Sequence, residues 1–399
     1  MENLREIYGL NGRLQRIVKT IQNSNHISNI NKNLILKFRD ESFAEGLSTA
    51  RVLFYMNRLW NIAKWIEKDF GDMTDDDIKE LVRRIREMNY TERTKMDHYC
   101  VIKKFFRWLN PAHELKWLKV RTKRKDKKLP EELLSKEEVQ GLIKACVSVR
   151  DRAIISILWE SGVRVGEFLG MKIKNVQFDQ YGAVMVVGNR GGKTGSRRIR
   201  LVSSVPHLSN WLEHHPCKGD PEAPLWVGIG SKNSGRQIMY HCLRAMLRKI
   251  ARRAKIQKRV NPHSFRHARA TDLANHLTEA QMKEYFGWTM DSDMASVYVH
   301  LSGRDTDDAI LRIHGKLGEN EKMNHEQLRT QVCSICGHEN PPEADFCLRC
   351  RRPLNLKASL ELEEKERALL RLVTPEAIEQ MIQKKVEEIL AKHSLTLEK

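Results

Sequence analysis

Apolar residues recur at a helical period through the first third of the chain. Over 49–66, Val52, Tyr55, Met56, Leu59, Ile62, Ala63 and Ile66 share one face, with Ser48 placed to cap the start. Met96, Tyr99, Ile102, Phe106 and Leu109 repeat the pattern over 94–109. No alternating run marks a strand in this part, so 1–118 reads as a helical domain. The pattern changes after 131. Ser135 and Glu138 form a capping box. A helix through 151–160 stops at Ser161-Gly162, and a second helix carries VRVGEFLGMK with Arg164 in its first turn. AVMVV (183–187) and RRIRLV (197–202) read as strands joined by the turn GNRGGKTGS. Helices resume near 206, one of them over 244–259 with eight bases and no acid. Asn261-Pro262 opens another, as N-cap and first helical residue. In the last helix Ile378, Met381, Ile382, Val386, Ile389 and Leu390 form one apolar stripe. Such a stripe docks on its own chain or pairs with a second copy.

Charge narrows the class. The chain has 399 residues, is 41% hydrophobic and carries a net charge of +19. Basicity of this size points first to nucleic acid and second to an anionic membrane. No stretch is apolar and long enough to span a bilayer, and MENLREIYGL lacks the apolar core of a signal peptide, so a cytoplasmic protein is expected. The basicity is not spread evenly. The segment 357–399 holds nine Glu against eight Lys and Arg, and is close to neutral. KVRTKRKDKKLP, 119–130, holds Lys119, Arg121, Lys123, Arg124, Lys125, Lys127 and Lys128 with a single Asp and no apolar period. It reads as an interdomain linker that straps along a phosphate backbone. Arg248 and Arg252 would extend the phosphate-facing surface from the basic helix.

Of eight cysteines, four make the pattern C-x2-C-x10-C-x2-C: Cys333, Cys336, Cys347 and Cys350. Two such knuckles with a short spacer suit one tetrahedral Zn2+. Four thiolates close the coordination sphere, so the site is structural. It resembles a zinc ribbon, over 325–356, followed by the helical tail 357–399.

The motifs of the central part point to phosphate chemistry. GNRGGKT (188–194) is not a nucleotide-binding loop, because Val187 stands where the first glycine should be and a strand follows instead of a helix. In NPHSFRHARAT, His263, Arg266 and His267 fall on one helix face without a single acid, which calls for an anion over them. Glu167 follows Arg164 at the spacing of an ion pair. The ordered set Arg164, Lys193, His263-x-x-Arg266-His267, Gly287-Trp288 and Tyr298 resembles the tyrosine recombinase, or phage-integrase, family over about 131–315. Trp288 stands where that family more often has His.

The resemblance implies a mainly α fold with a small β-hairpin or sheet. It would comprise a helical core-binding domain (1–118) and an α+β catalytic domain (131–315). It implies a site-specific DNA recombinase, an integrase of a mobile element, that needs neither ATP nor a catalytic metal. Tyr298 would attack the scissile phosphodiester and form a 3′-phosphotyrosine. Arg164 and Arg266 would hold the phosphate oxygens, His263 would act as general base, and Lys193 would protonate the leaving 5′ oxygen. Trp288 would donate a hydrogen bond, with His267 and Glu167 in support. The expected partners are double-stranded DNA attachment sites and three further copies in a tetramer on DNA, the free protein being a monomer or weak oligomer. The zinc module points to archaeal or archaeal-virus relatives. Alternatives are a Xer-like recombinase, a relaxing type IB topoisomerase and a non-catalytic DNA-binding zinc protein.

Overall fold

The computed structural model describes residues 7–120, 132–188, 195–301 and 330–372, with only isolated positions (310, 313–314, 379, 382–383 and 385–387) beyond them. The first part is a bundle of α1 (Leu10–Gln22), α2 (Asn29–Ala44), α3 (Thr49–Ala63), α4 (Asp75–Glu87) and α5 (Glu92–Leu109). Side-chain hydroxyls of Ser28, Ser48, Thr74 and Thr91 cap the starts of α2 to α5. The core is aromatic: Phe38 meets Phe105 edge to face at 5.2 Å, and Phe70 packs on both Phe105 and Phe106. The periodic stretch at 49–66 ends as helix at Ala63, because Lys64 and Trp65 turn back onto the carbonyls of Asn61 and Ile62.

A second core is built around α7 (Val149–Ser161), which is buried on all sides from Ala153 to Ser161. It packs against α6 (Lys136–Lys144), α9 (Val205–Glu213) and α11 (Pro262–Leu273). The short α8 (Val165–Leu169) follows α7. An antiparallel sheet of β1 (Val176–Asp179), β2 (Gly182–Val187) and β3 (Arg197–Leu201) lies alongside. Val187 pairs with Arg197, so these two residues close the base of the expected turn. Ile7 and Tyr8, ahead of the first bundle, pack into this second core. A small third core joins α11 to α12 (Glu279–Phe286) and α13 (Met294–Leu301) through Ala270, Ala274, Met282, Phe286, Ala295 and Tyr298.

Three details depart from expectation. β1 carries no sequence signal: only four residues long, it leaves Phe178 at the surface, so no apolar alternation marks it. Arg164 is not inside a helix but is its N-cap, with extended backbone, and α8 is a mere five residues. The basic helix, α10 (Tyr240–Arg253), stops six residues short of 259: Lys255 adopts φ 57° and breaks it. Lys258 then turns inward and donates to Leu133 O and the Glu138 carboxylate.

The cysteine module pairs β4 (Gln331–Val332) with β5 (Glu339–Asn340) and runs into α14 (Leu356–Leu372). It is tied to the second core by a buried His207–Glu343 pair from α9 and by Lys144–Asp345 at 3.6 Å.

A buried carboxylate organises the start of α9. Glu160, in α7, accepts from the backbone N–H groups of Val202, Ser203 and Ser204 and from the Ser204 hydroxyl, at 2.6–3.0 Å. These amides lie in the turn that leads into α9, where a carboxylate complements the positive end of the dipole. Glu160→Ala strands three amides and a hydroxyl in the interior. It is expected to cost about 3 kcal/mol or more in urea unfolding, a loss that replacing an exposed glutamate such as Glu366 does not produce.

Candidate active site

Three chain reversals bring the predicted residues together. α7 ends at Gly162, whose φ of 54° is left-handed; a Cβ there would sit 2.6 Å from the Phe286 ring. This turn delivers Arg164. Asn261 accepts from Ser264 N and starts α11, which carries His263, Arg266 and His267. α12 ends at Gly287, again left-handed at φ 61°, and sends Trp288 and then α13 with Tyr298 back across the site.

The end of α12 is the meeting point. Its last carbonyls have no helical partner. Tyr285 O accepts from Arg197 Nε at 2.9 Å, Phe286 O from Arg266 Nη2 at 2.8 Å, and Gly287 O from Arg164 Nη2 at 2.7 Å. Three guanidiniums from β3, α11 and the α8 cap thus converge on the negative end of one helix dipole. Arg266 also donates to Gly162 O at 2.9 Å. Glu167 bridges the other two: it accepts from Arg164 Nη1 at 3.2 Å and from both Nη groups of Arg197 at 3.1 and 2.8 Å. Burial raises the Glu167 carboxyl, and the Arg197 and Arg164 guanidiniums more than reverse that, holding it ionised below its usual range. Burial, then Arg164 and Arg197, push Arg266 down to about 9, which still leaves it charged at neutral pH. Three guanidiniums against one carboxylate leave the cluster with positive charge in excess. Among the described residues Arg164 and Arg266 each spend two of their five N–H donors here, so each has donors left for an anion.

Tyr298 is 3% exposed and lies over this cluster. Its ring stacks on Trp288 at 5.4 Å and 3°, and Trp288 stacks on Phe286 at 4.9 Å. The Arg266 guanidinium sits 5.0 Å from the Phe286 ring centre and 5.6 Å from that of Trp288, a cation–π contact. The Tyr298 hydroxyl is 2.5 Å from Nδ1 of His267. His263, one turn earlier, is exposed with its ring 5.8 Å from that of His267. Of the two histidines, the one that reaches the hydroxyl is therefore the one assigned to support. Burial pushes the phenol up to about 12, with Arg266 opposing.

Arg197 was missed by sequence reasoning. RRIRLV reads as an alternating strand whose charged positions look solvent-facing, and the inward turn of its first arginine is visible only with α12 in place. Lys193 lies outside the described residues, as do Arg121, Lys123, Arg124, Lys125, Lys127 and Lys128. Lys119 is exposed and lines a basic groove on the helical bundle with Lys103, Lys104, Arg107 and Lys116. Arg248 and Arg252 are exposed on α10.

The four cysteine sulfurs of the C-terminal module lie within 4.8 Å of one another, with Cys333–Cys350 and Cys336–Cys347 at 3.6 Å. Zinc–sulfur bonds of about 2.3 Å in a tetrahedron set sulfur pairs about 3.8 Å apart, so the arrangement fits. The Cys333 thiol is held below its ordinary value by the N–H groups of Cys336 and Ile335. Asn340, fully buried, donates to His338 O and accepts from Leu348 N, locking the two knuckles together.

Residues 132–305 match the model of the phage integrase family. Over this segment the chain is similar to that family. Similar phage-integrase relatives include tyrosine recombinase XerD of Ralstonia nicotianae, 27% identical over 287 residues, covering 67% of this chain and 89% of that one. Tyrosine recombinase XerA of Pyrococcus horikoshii is 24% identical over 247 residues, covering 61% and 80%. Two solved structures share the mainly helical fold. XerH bound to its difH substrate after cleavage matches at TM-score 0.53 and 16% identity, over 77% of this chain and 97% of that one. The Tn1549 transposon integrase with a circular intermediate DNA matches at 0.52 and 15%, over 69% and 99%. The family match ends at residue 305, before the cysteine module.

The raised phenol has a measurable consequence. Unfolded tyrosine releases its proton near 10, folded Tyr298 at about 12. The neutral phenol's contribution to stability is therefore complete below pH 10 and disappears as pH climbs to 12. In equilibrium unfolding across pH 9–12, Tyr298→Phe should flatten this decline in part, leaving the contributions of Tyr8, Tyr55, Tyr99 and Tyr285, which burial raises likewise.

Proposed function

We propose that this chain is a site-specific DNA recombinase that cleaves and rejoins strands through Tyr298. The observation that carries this is the buried Tyr298 hydroxyl held against His267 over the arginine cluster. When a phosphodiester enters, the unused donors of Arg164 and Arg266 take its non-bridging oxygens and stabilise the charge that builds there. With its proton on Nε2, His267 accepts the phenol proton at Nδ1, supplying the base that a phenol raised to about 12 requires. His263, the base expected from the family, is next in line. The Tyr298 oxygen bonds to phosphorus, the bond to the 5′ oxygen breaks, and Lys193 protonates that oxygen to a 5′ hydroxyl. The 3′-phosphotyrosine keeps the bond energy, so attack by a partner strand's 5′ hydroxyl rejoins DNA without ATP. Trp288 packs against the nucleophile and has one N–H to offer.

The Lys119 groove, the linker and the α10 arginines are the phosphate-backbone surface in this reading. Four copies act on two sites in the cytoplasm at the nucleoid. The role in a mobile element rests on the added cysteine module and tail. The names of the relatives favour a second reading, a Xer-like recombinase. The module binds one structural zinc through Cys333, Cys336, Cys347 and Cys350.

Two measurements test this. The protein is incubated with plasmid DNA from the host genome without metal or ATP, denatured, digested and examined by mass spectrometry. A nucleotide on Tyr298 is expected; Tyr298→Phe should abolish it, and His267→Ala should slow its formation by about a hundredfold or more. An adduct that persists in Tyr298→Phe overturns the assignment. Elemental analysis of the purified chain should give one zinc per chain, lost in the quadruple Cys→Ser variant.

A further inference from the structure

Arg197 is a buried cation with no part in the chemistry just described. It is the first residue of β3, and its side chain is 7% exposed. All three of its nitrogens are engaged: Nε on Tyr285 O, and Nη1 and Nη2 on the two oxygens of Glu167. A fork of this kind fixes the plane of the carboxylate. The same Glu167 oxygen that meets Arg197 Nη1 also accepts from Arg164 Nη1. Arg164 is therefore held from two sides, by Glu167 and by Gly287 O, and Arg197 grips both supports, the second through Tyr285 on the same helix end. Gly287 makes the arrangement possible: a Cβ there would lie 2.8 Å from Arg197 Nη1 and 3.2 Å from Arg164 Nη1.

Arg197 does a second thing. It pairs with Val187 at the base of the β2–β3 turn, and Lys193 lies between these two in sequence. Its grip on Tyr285 ties the base of that turn to the end of α12.

The geometry points to Arg197 as a positioning residue for DNA cleavage: it sets Glu167 and the α12 terminus so that Arg164 presents its remaining donors to the phosphate. This rests on the recombinase reading. A 1 Å displacement of a clamp on the reacting group is enough for a loss of about a hundredfold. Binding, which is spread over many basic contacts, should hardly change.

The test uses the full-length protein and a synthetic duplex carrying the DNA sequence recovered from the wild-type adduct. Single-turnover formation of the covalent complex, duplex affinity and thermal melting are measured for wild type, Arg197→Ala, Arg197→Lys and Glu167→Gln. For Arg197→Ala, cleavage should fall about a hundredfold while affinity stays within about threefold, and methylguanidinium in the buffer should restore part of the rate. Arg197→Lys should fall between, since an ammonium cannot grip both oxygens in one plane. Cleavage by Arg197→Ala at the wild-type rate overturns the inference. So does a loss that methylguanidinium leaves unchanged and that tracks lower melting in Arg197→Ala, Arg197→Lys and Glu167→Gln alike, because that describes a stabilising ion pair only. A wild-type protein that forms no adduct overturns the underlying reading instead.

Discussion

Three positive side chains do not gather in a protein interior unless something negative holds them, and here it is the end of a helix. The last carbonyls of α12 accept one arginine each, on consecutive residues from Tyr285 to Gly287. These carbonyls would otherwise be unsatisfied, and together they carry the negative pole of the helix. The arginines come from three separate parts of the fold, so the helix end also serves as the datum against which those parts are aligned. Glu167 supplies the one full negative charge. The balance stays positive, which readies the site for an anion.

The same terminus governs Tyr298, the proposed nucleophile. Gly287 reverses the chain, Trp288 leaves at a fixed angle, and Tyr298 stacks against it almost parallel. Burial that raises the phenol also keeps it neutral, and therefore unreactive, in the DNA-free protein. Two features bias it towards reaction: the Arg266 charge, which lowers the phenol, and the His267 nitrogen at its hydroxyl. The phenol is therefore set beside a base but not spontaneously ionised.

Behind the site stands α7. Its Glu160 side chain holds the turn that leads into α9, while the Glu160 carbonyl receives Arg269 Nε from α11 and the Tyr285 hydroxyl from α12, each at 2.9 Å. One residue thus joins four helices. The cysteine module is attached to this frame through α9 and α6.

Much of this was legible from residue order alone. Caps, turn glycines and apolar periods announced most helices and the β2–β3 hairpin, because those are local events decided within a few residues. The motif Arg164…His263-x-x-Arg266-His267…Tyr298 and the C-x2-C pairs also survive without coordinates, since their spacing is itself the signal. Tertiary structure decided three other things. It placed Arg197 inward although its strand reads as half-solvated, joined His267 rather than His263 to the Tyr298 hydroxyl, and satisfied the acid-free cluster in part with carbonyls of α12. All three depend on backbone groups and side chains twenty or more residues apart. A backbone carbonyl has no letter of its own in the sequence, so the charge that gathers these arginines appears only when the chain has folded around it.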